Sequence, residues 1–310
     1  MKTISFILLI FLINLNCSKN KNPTDSNENP NGSENPGGKI FKVSLPKKLI
    51  GEGSHPAWSP DGKWIAYASY TEATRHDISI IPAGGGEPET IVSAPHYQNH
   101  PFWSPDGKFI AFSSDQKEQP QWNIYAIELD SKIITQITPD SFGVQAGHWS
   151  PDGNNIVFDA NSRHWSLITI QLTTNELTFL TPDSLYEGWP KYSFDGSKIV
   201  FESLRGGDGI YNIWSINSDG TSLKQITTDG GEYPCWSPDG KWITYSHNTS
   251  GEFPNTNFDI YIIASEGGEP IQITDSNDND VRPAWSPDGK KIVYDTFGYA
   301  LWIVEVELIQ

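Results

Sequence analysis

Three histidines, His55, His100 and His148, recur along the chain at intervals of 45 and 48 residues. Imidazoles that a repeating fold returns to one place can hold a divalent metal and leave a coordination position open for substrate. At the places equivalent to His55 and His100, the later stretches carry Ala146, Trp189, Tyr233 and Arg282. Tryptophan, tyrosine and arginine dominate binding hot spots, because each offers a large area to desolvate together with a polar handle. Metal chemistry and protein docking are therefore the two functions to weigh. Hydrogen bonding to neighbouring structure accounts for the histidines equally well, and proximity of equivalent positions is not coordination.

These residues are equivalent because each stands three places before the aromatic that opens a repeated pentapeptide. Trp-Ser-Pro-Asp-Gly occurs at Trp58, Trp103, Trp149, Trp236 and Trp285, and Tyr192-Ser193-Phe194-Asp195-Gly196 is its variant. Serine opens a four-residue turn, proline pre-sets φ, aspartate bonds to nearby backbone, and glycine takes the φ > 0 position. Asp61, Asp106, Asp152, Asp195, Asp239 and Asp288 are accordingly turn residues rather than catalytic carboxylates. After each turn an isoleucine stands two places before an aromatic, from Ile65 and Tyr67 to Ile292 and Tyr294, the alternation of a strand. Small, mostly apolar residues lie between them (Ala66, Ala111, Val157, Val200, Thr244 and Val293), so both faces of this strand should be covered. A third strand recurs, and a fourth ends at Thr138, Thr181, Thr227 and Thr274.

Four short strands every 45 residues or so make one propeller blade. The fold expected is all-β, a six-bladed β-propeller of four-stranded antiparallel blades. The sixth repeat stops after its third strand, and a strand-like segment, residues 40–50, precedes the first. The two ends should complete one blade, removing the sheet edges that invite aggregation.

The formal charge of −17 argues against nucleic acid and against an electrostatic grip on anionic lipid. Met1-Lys2 leads into an apolar run from Ile4 to Ile13, too short to span a bilayer and suited to a secretory signal. The segment ending in Leu15-Asn16-Cys17 resembles a bacterial lipoprotein signal, which implies that Cys17 is lipidated. Residues 18–38 are rich in Asn, Pro, Ser and Gly and poor in apolar side chains, the composition of a disordered tether. The organisation expected is a signal at 1–16, a lipidated tether at 17–38 and a propeller at 39–310. Cys235 is then alone, a buried and inert thiol rather than half of a disulfide. The run Asp275-Ser276-Asn277-Asp278-Asn279-Asp280 has alternate oxygen side chains but lacks the glycine and the downstream glutamate of a calcium loop.

Pro-Ala-Trp-Ser-Pro-Asp-Gly-Lys with a following Ile-x-Tyr, best seen at residues 56–67, 101–112 and 283–294, resembles the TolB-type, WD40-like (PD40) propeller repeat. The resemblance covers residues 39–310. It implies one of three settings: periplasmic interaction proteins, prolyl-peptidase-like enzymes, or metal-dependent pectin-fragment lyases. The chain has no Gly-x-Ser-x-Gly elbow, so a self-contained serine peptidase is not expected. The reading is a non-catalytic, membrane-tethered, monomeric propeller, with no cofactor, that docks an envelope protein or peptide. Its channel mouth would be lined by His55, His100, Trp189, Tyr233 and Arg282, and the membrane would be touched only through the lipid, at the outer membrane. The alternative is a carbohydrate-binding or oligosaccharide-cleaving propeller with His55, His100 and His148 around a metal.

Overall fold

The computed structural model describes residues 40–309 apart from 71–75, 117–121, 141–142, 162–164, 182–185, 208 and 251–255. Everything described belongs to one compact unit, Glu34–Gln310. The signal, Cys17 and the tether lie outside the described residues, as does Phe253 in the loop between Asn248 and Phe258. No helix among the described residues is long and apolar enough to cross a membrane.

Six antiparallel sheets follow one another along the chain. Their inner strands are Ser54–Trp58, Gln98–Trp103, Gly143–Trp149, Glu187–Tyr192, Glu232–Trp236 and Val281–Trp285. The first blade continues outward through Trp64–Ser69, Asp77–Pro82 and Glu89–Val92, and blades two to five repeat this order. The all-β, six-bladed architecture expected from the repeat is the one observed.

Each turn is held by the hydrogen bonds its sequence supplies. In the first, Gly62 N donates to Ser59 O at 2.9 Å, closing the four-residue turn. Ser59 Oγ donates to Asp61 Oδ1 at 2.6 Å and accepts from Trp64 N at 2.9 Å, while Lys63 N donates to the same Asp61 oxygen at 3.1 Å. Gly62 sits at φ 70°, where a side chain would be strained. The turns also touch in sequence around the ring. A Cβ built on Gly107 would lie 4.0 Å from Pro60, one on Gly153 3.5 Å from Pro105, and one on Gly62 3.8 Å from Pro287. Phe194 replaces proline in the fourth turn and interrupts this series: nothing lies within 4 Å of the equivalent point on Gly240.

The second strands form the core. Ile65, Ala66, Ile110, Ala111, Phe112, Ile156, Val157 and Phe158 are inaccessible to solvent. They pack between blades: Ala66, Ile78 and Ile80 of the first meet Ile110, Phe112 and Tyr125 of the second. Burying each large apolar side chain is worth about 1.5–3 kcal/mol. The outer strands end at Gln136, Phe179, Gln225 and Gln272, so the threonines expected to end them stand two residues beyond, where they turn inward. Thr138 Oγ1 accepts from Ile124 N, Thr181 from Leu167 N, Thr227 from Ile213 N and Thr274 from Ile260 N, all at 2.9 Å. The repeated threonine thus satisfies a buried N–H near the start of the third strand.

The ends of the propeller close as the repeat count requires. Ile40–Val43 pairs antiparallel with Val306 to Ile309, and Lys47–Ile50 pairs with Leu301 to Ile303 along the same strand. Phe41 seats against Trp242 and Trp285, ring centroids 5.1 and 6.5 Å apart. On the other side, Val293 and Leu301 of the sixth blade share a core with Ile65, Tyr67 and Ile81 of the first.

Candidate functional site: an aromatic ring across the channel

Every inner strand slips register against its neighbour at one place, for example between Ser54 and Ala57 and between Glu232 and Cys235. Five of the six slips hold a non-glycine residue in the left-handed region: His55 (φ 55°), His100 (51°), Trp189 (57°), Tyr233 (55°) and Arg282 (56°). Each is followed by proline, whereas Ala146, the sixth, is followed by glycine and has no positive φ. A left-handed residue costs about 1–2 kcal/mol. The bulge re-aims the side chain out of the strand's alternation and into the channel.

The strain is offset by acceptors on second strands. Asp295 Oδ2 accepts from His55 N at 3.0 Å, Asp159 Oδ2 from Trp189 N at 3.0 Å, Glu202 Oε2 from Tyr233 N at 2.9 Å, and Ser246 Oγ from Arg282 N at 3.1 Å. In each case the acceptor directly follows the alternating aromatic of one blade and captures the ring residue of the next. Where that position is Ala68, His100 N finds Asn99 Oδ1 instead, at 3.3 Å. Sequence reasoning passed over this column. Its signal is a polar residue repeated at a position that strand alternation buries: Ser113, Asp159, Glu202, Ser246 and Asp295 are all at most 3 % exposed.

The five mouth residues expected from the sequence are brought together, and they fill the channel rather than line an open rim. His55 stacks parallel to Trp189 at 5.5 Å. His100 stands edge-on to both, 4.2 Å from His55 and 4.8 Å from Trp189. Tyr233 meets Trp189 edge-on at 4.7 Å, and the Arg282 guanidinium lies 5.7 Å from the Tyr233 ring centre. Arg282 donates to His55 Nε2 at 2.7 Å and to Asp295 Oδ1 at 3.0 Å. Since guanidinium only donates, His55 accepts at Nε2 and carries its proton on Nδ1, which faces Ser54 Oγ at 2.9 Å.

Burial sets the electrostatics of this ring. It lowers His55 well below the usual imidazole range and His100 to about 3, with the Arg282 cation adding to both shifts, so both rings are neutral. It raises Asp159 to about 6 and lifts Glu202 well above the carboxylate range. His148 lies apart from the ring, in the chamber on its turn side; its Nδ1 accepts from Tyr192 N at 3.3 Å, and burial lowers it to about 3. Among the described residues no three His, Cys, Asp or Glu side chains group as metal ligands, and the cation nearest His55 is Arg282. The Asp275 to Asp280 run ties down its own loop: Asp280 N donates to Phe258 O at 2.7 Å, and Ser276 N donates to Asp259 Oδ1 at 3.2 Å. Cys235 is half-buried in the channel wall, and burial raises its thiol.

The ring divides the channel into two spaces. On one side lies a bowl of about 590 Å³, lined by Asn99, Trp122, Gln145, Asn161 and Trp165 with the ring as its floor. Trp122 and Trp165 face this bowl, whereas Trp214 packs on the core of the fourth blade. On the other side is a chamber of about 240 Å³ within the turn ends of the inner strands.

Residues 45–189 match the family model described as the TolB beta propeller domain, PD40. The structure resembles TolB from Acinetobacter baumannii, at 23% identity and a TM-score of 0.63 over 84% of this chain. It also resembles a putative TolB from Agrobacterium tumefaciens, at 22% identity and a TM-score of 0.65 over 87% of this chain and 99% of that one. The fold is a β-propeller, and residues 45–189 resemble the TolB-type repeat. It spans 66% of the length of the Acinetobacter protein. An oligogalacturonate lyase in complex with manganese shares the fold as well, at 14% identity and a TM-score of 0.58 over 87% of this chain and 97% of that one. Among curated proteins no sequence matches. At these identities, likeness to the solved structures is a likeness of fold, and function follows from the propeller's own bowl and ring.

Proposed function

We propose that this TolB-like propeller is a non-catalytic docking module of the bacterial envelope, tethered by lipid on Cys17 at the outer membrane. It captures an extended segment of an envelope protein in the bowl above the ring. The observation that carries this reading is the bowl's composition. Trp122 and Trp165 offer apolar faces, and Asn99, Gln145 and Asn161 offer amides that both donate and accept, as an extended backbone requires. Tyr186 Oη donates to Gln145 Oε1 at 2.9 Å, which fixes that amide in place. The floor is pre-formed and rigid, so little ordering is left for binding to offset.

The test uses Trp122→Ala with Trp165→Ala, because these side chains are half-buried at the bowl wall while Trp189 and Arg282 hold the ring together. A partner captured from intact cells by the parent and lost in the double variant, with folding unchanged, supports docking. Capture unchanged in the double variant refutes the assigned face.

The carbohydrate reading keeps one point in its favour, since tryptophans flanked by amides also suit a sugar ring. A neutral or acidic oligosaccharide that binds the parent and not the double variant would select it over the protein partner.

A further inference from the structure

The chamber on the turn side of the ring has a chemistry of its own. Its walls are apolar: Phe102, Ala57, Ala284, the frame tryptophans and the prolines that follow the ring residues. No Asp or Glu lines it, in a chain whose formal charge is −17. Into this space project Lys191 and His148, one place before Tyr192 and Trp149 on neighbouring inner strands. Among the described residues the Lys191 ammonium has neither an ion pair nor a hydrogen bond, while its backbone pairs with Val200 and its carbonyl accepts from Trp236 Nε1 at 3.2 Å. His148 accepts at Nδ1 from Tyr192 N, so its proton is on Nε2 and that nitrogen is a donor. Both polar side chains therefore present hydrogen to the chamber, and an unpaired cation against apolar walls is costly unless something answers it. Pro60, Pro151 and Phe194, all exposed, and half-buried Pro287 frame an entrance from solvent. Phe194, 52 % exposed where the other turns have proline, gives this entrance an apolar lip.

We propose that the chamber is a second binding site, independent of the bowl, for a small carboxylate with an apolar body, held by Lys191 Nζ and His148 Nε2–H. The carboxylate accepts from both donors, and its apolar body fills the space between Phe102, Ala57 and Ala284. Burial lowers the Lys191 pKa, a desolvation cost that an incoming anion offsets. The volume, about 240 Å³, lies below the usual range for ligand sites, which selects compact molecules rather than polymers.

Calorimetric titration of the propeller with octanoate, and with octanamide as the neutral counterpart, tests the site. Octanoate should bind about tenfold or more tightly than octanamide, the scale of one charge-assisted hydrogen bond. Lys191→Met should remove that preference, and Ala284→Phe should abolish binding of both. On the unaltered chain, octanoate should protect Lys191 from reductive methylation, a readout that stands even if a variant fails to fold. Equal binding of the two probes, no binding of either, or unprotected Lys191 at saturating octanoate would overturn the proposal.

Discussion

The guanidinium of Arg282 donates to Nε2 of His55 at 2.7 Å across the seam where the sixth blade meets the first. Asp295 completes a triangle, accepting from Arg282 and from the backbone N–H of His55. The propeller is thus closed twice, by this polar triangle at the channel and by the pairing of residues 40–50 along Leu301–Ile309.

Removing the carboxylate of the triangle leaves Arg282 without its ion partner and His55 N–H without an acceptor. Asp295→Ala should therefore destabilise the fold by about 3–5 kcal/mol, the cost of breaking a buried pair by removing one partner. Asp295→Asn, which keeps an acceptor oxygen, should cost less. Urea unfolding of the two variants measures the difference.

Deleting residues 40–50 strips the last strand of its partner and uncovers Trp242 and Trp285 where Phe41 now sits. A loss of several kcal/mol is expected, on the scale of one buried strand. Stability equal to that of the parent would mean that closure at the channel suffices.

The left-handed ring positions give a sharper test of strain. Tyr233→Gly should be more stable than Tyr233→Ala by about 1 kcal/mol, because only glycine takes φ near 55° freely. At Ala146, which has no positive φ, glycine should be the less stable choice. The same ordering at both sites would contradict the bulge geometry.

Two sets of carboxylates pull the pH dependence in opposite directions. Asp61 is lowered to about 2 by the Ser59 hydroxyl and Lys63 N–H, so the stability it adds is present above its unfolded value of 3.8 and is lost as pH falls toward 2. Asp159 is raised to about 6 by burial, so the folded state holds its proton more tightly, and stability falls as pH rises from 3.8 to about 6. Asp159→Asn should lessen the fall of the urea midpoint across that upper window, where Asp280, raised to about 7 by burial, still contributes, while leaving the acid limb in place. A curve of unchanged shape would show that Asp159 does not titrate there.

The blade count, the turn and the meeting of distant ring residues were legible because each is a local pattern repeated six times. Proline, glycine and alternating apolar residues announce backbone conformation directly. The collapse of His55, His100, Trp189, Tyr233 and Arg282 into a closed plug was not legible, since alternation alone predicts a lined rim. It arises from a bulge whose φ is positive in five blades, stabilised by acceptors from adjacent strands. The column containing Asp159, Glu202 and Asp295 was readable in principle, as charge at a position that the fold buries. Lys191 gave no signal, because one lysine in an acidic chain reads as surface until its neighbours are known.

The most direct test of the docking account places a photo-crosslinking amino acid at Trp165, in the bowl, and separately at Phe179, exposed on an outer strand. Irradiation of intact cells should give a discrete protein adduct from position 165 that is absent from position 179 and disappears when Trp122→Ala is added. Equal adducts from both positions, or none from 165, would contradict the account.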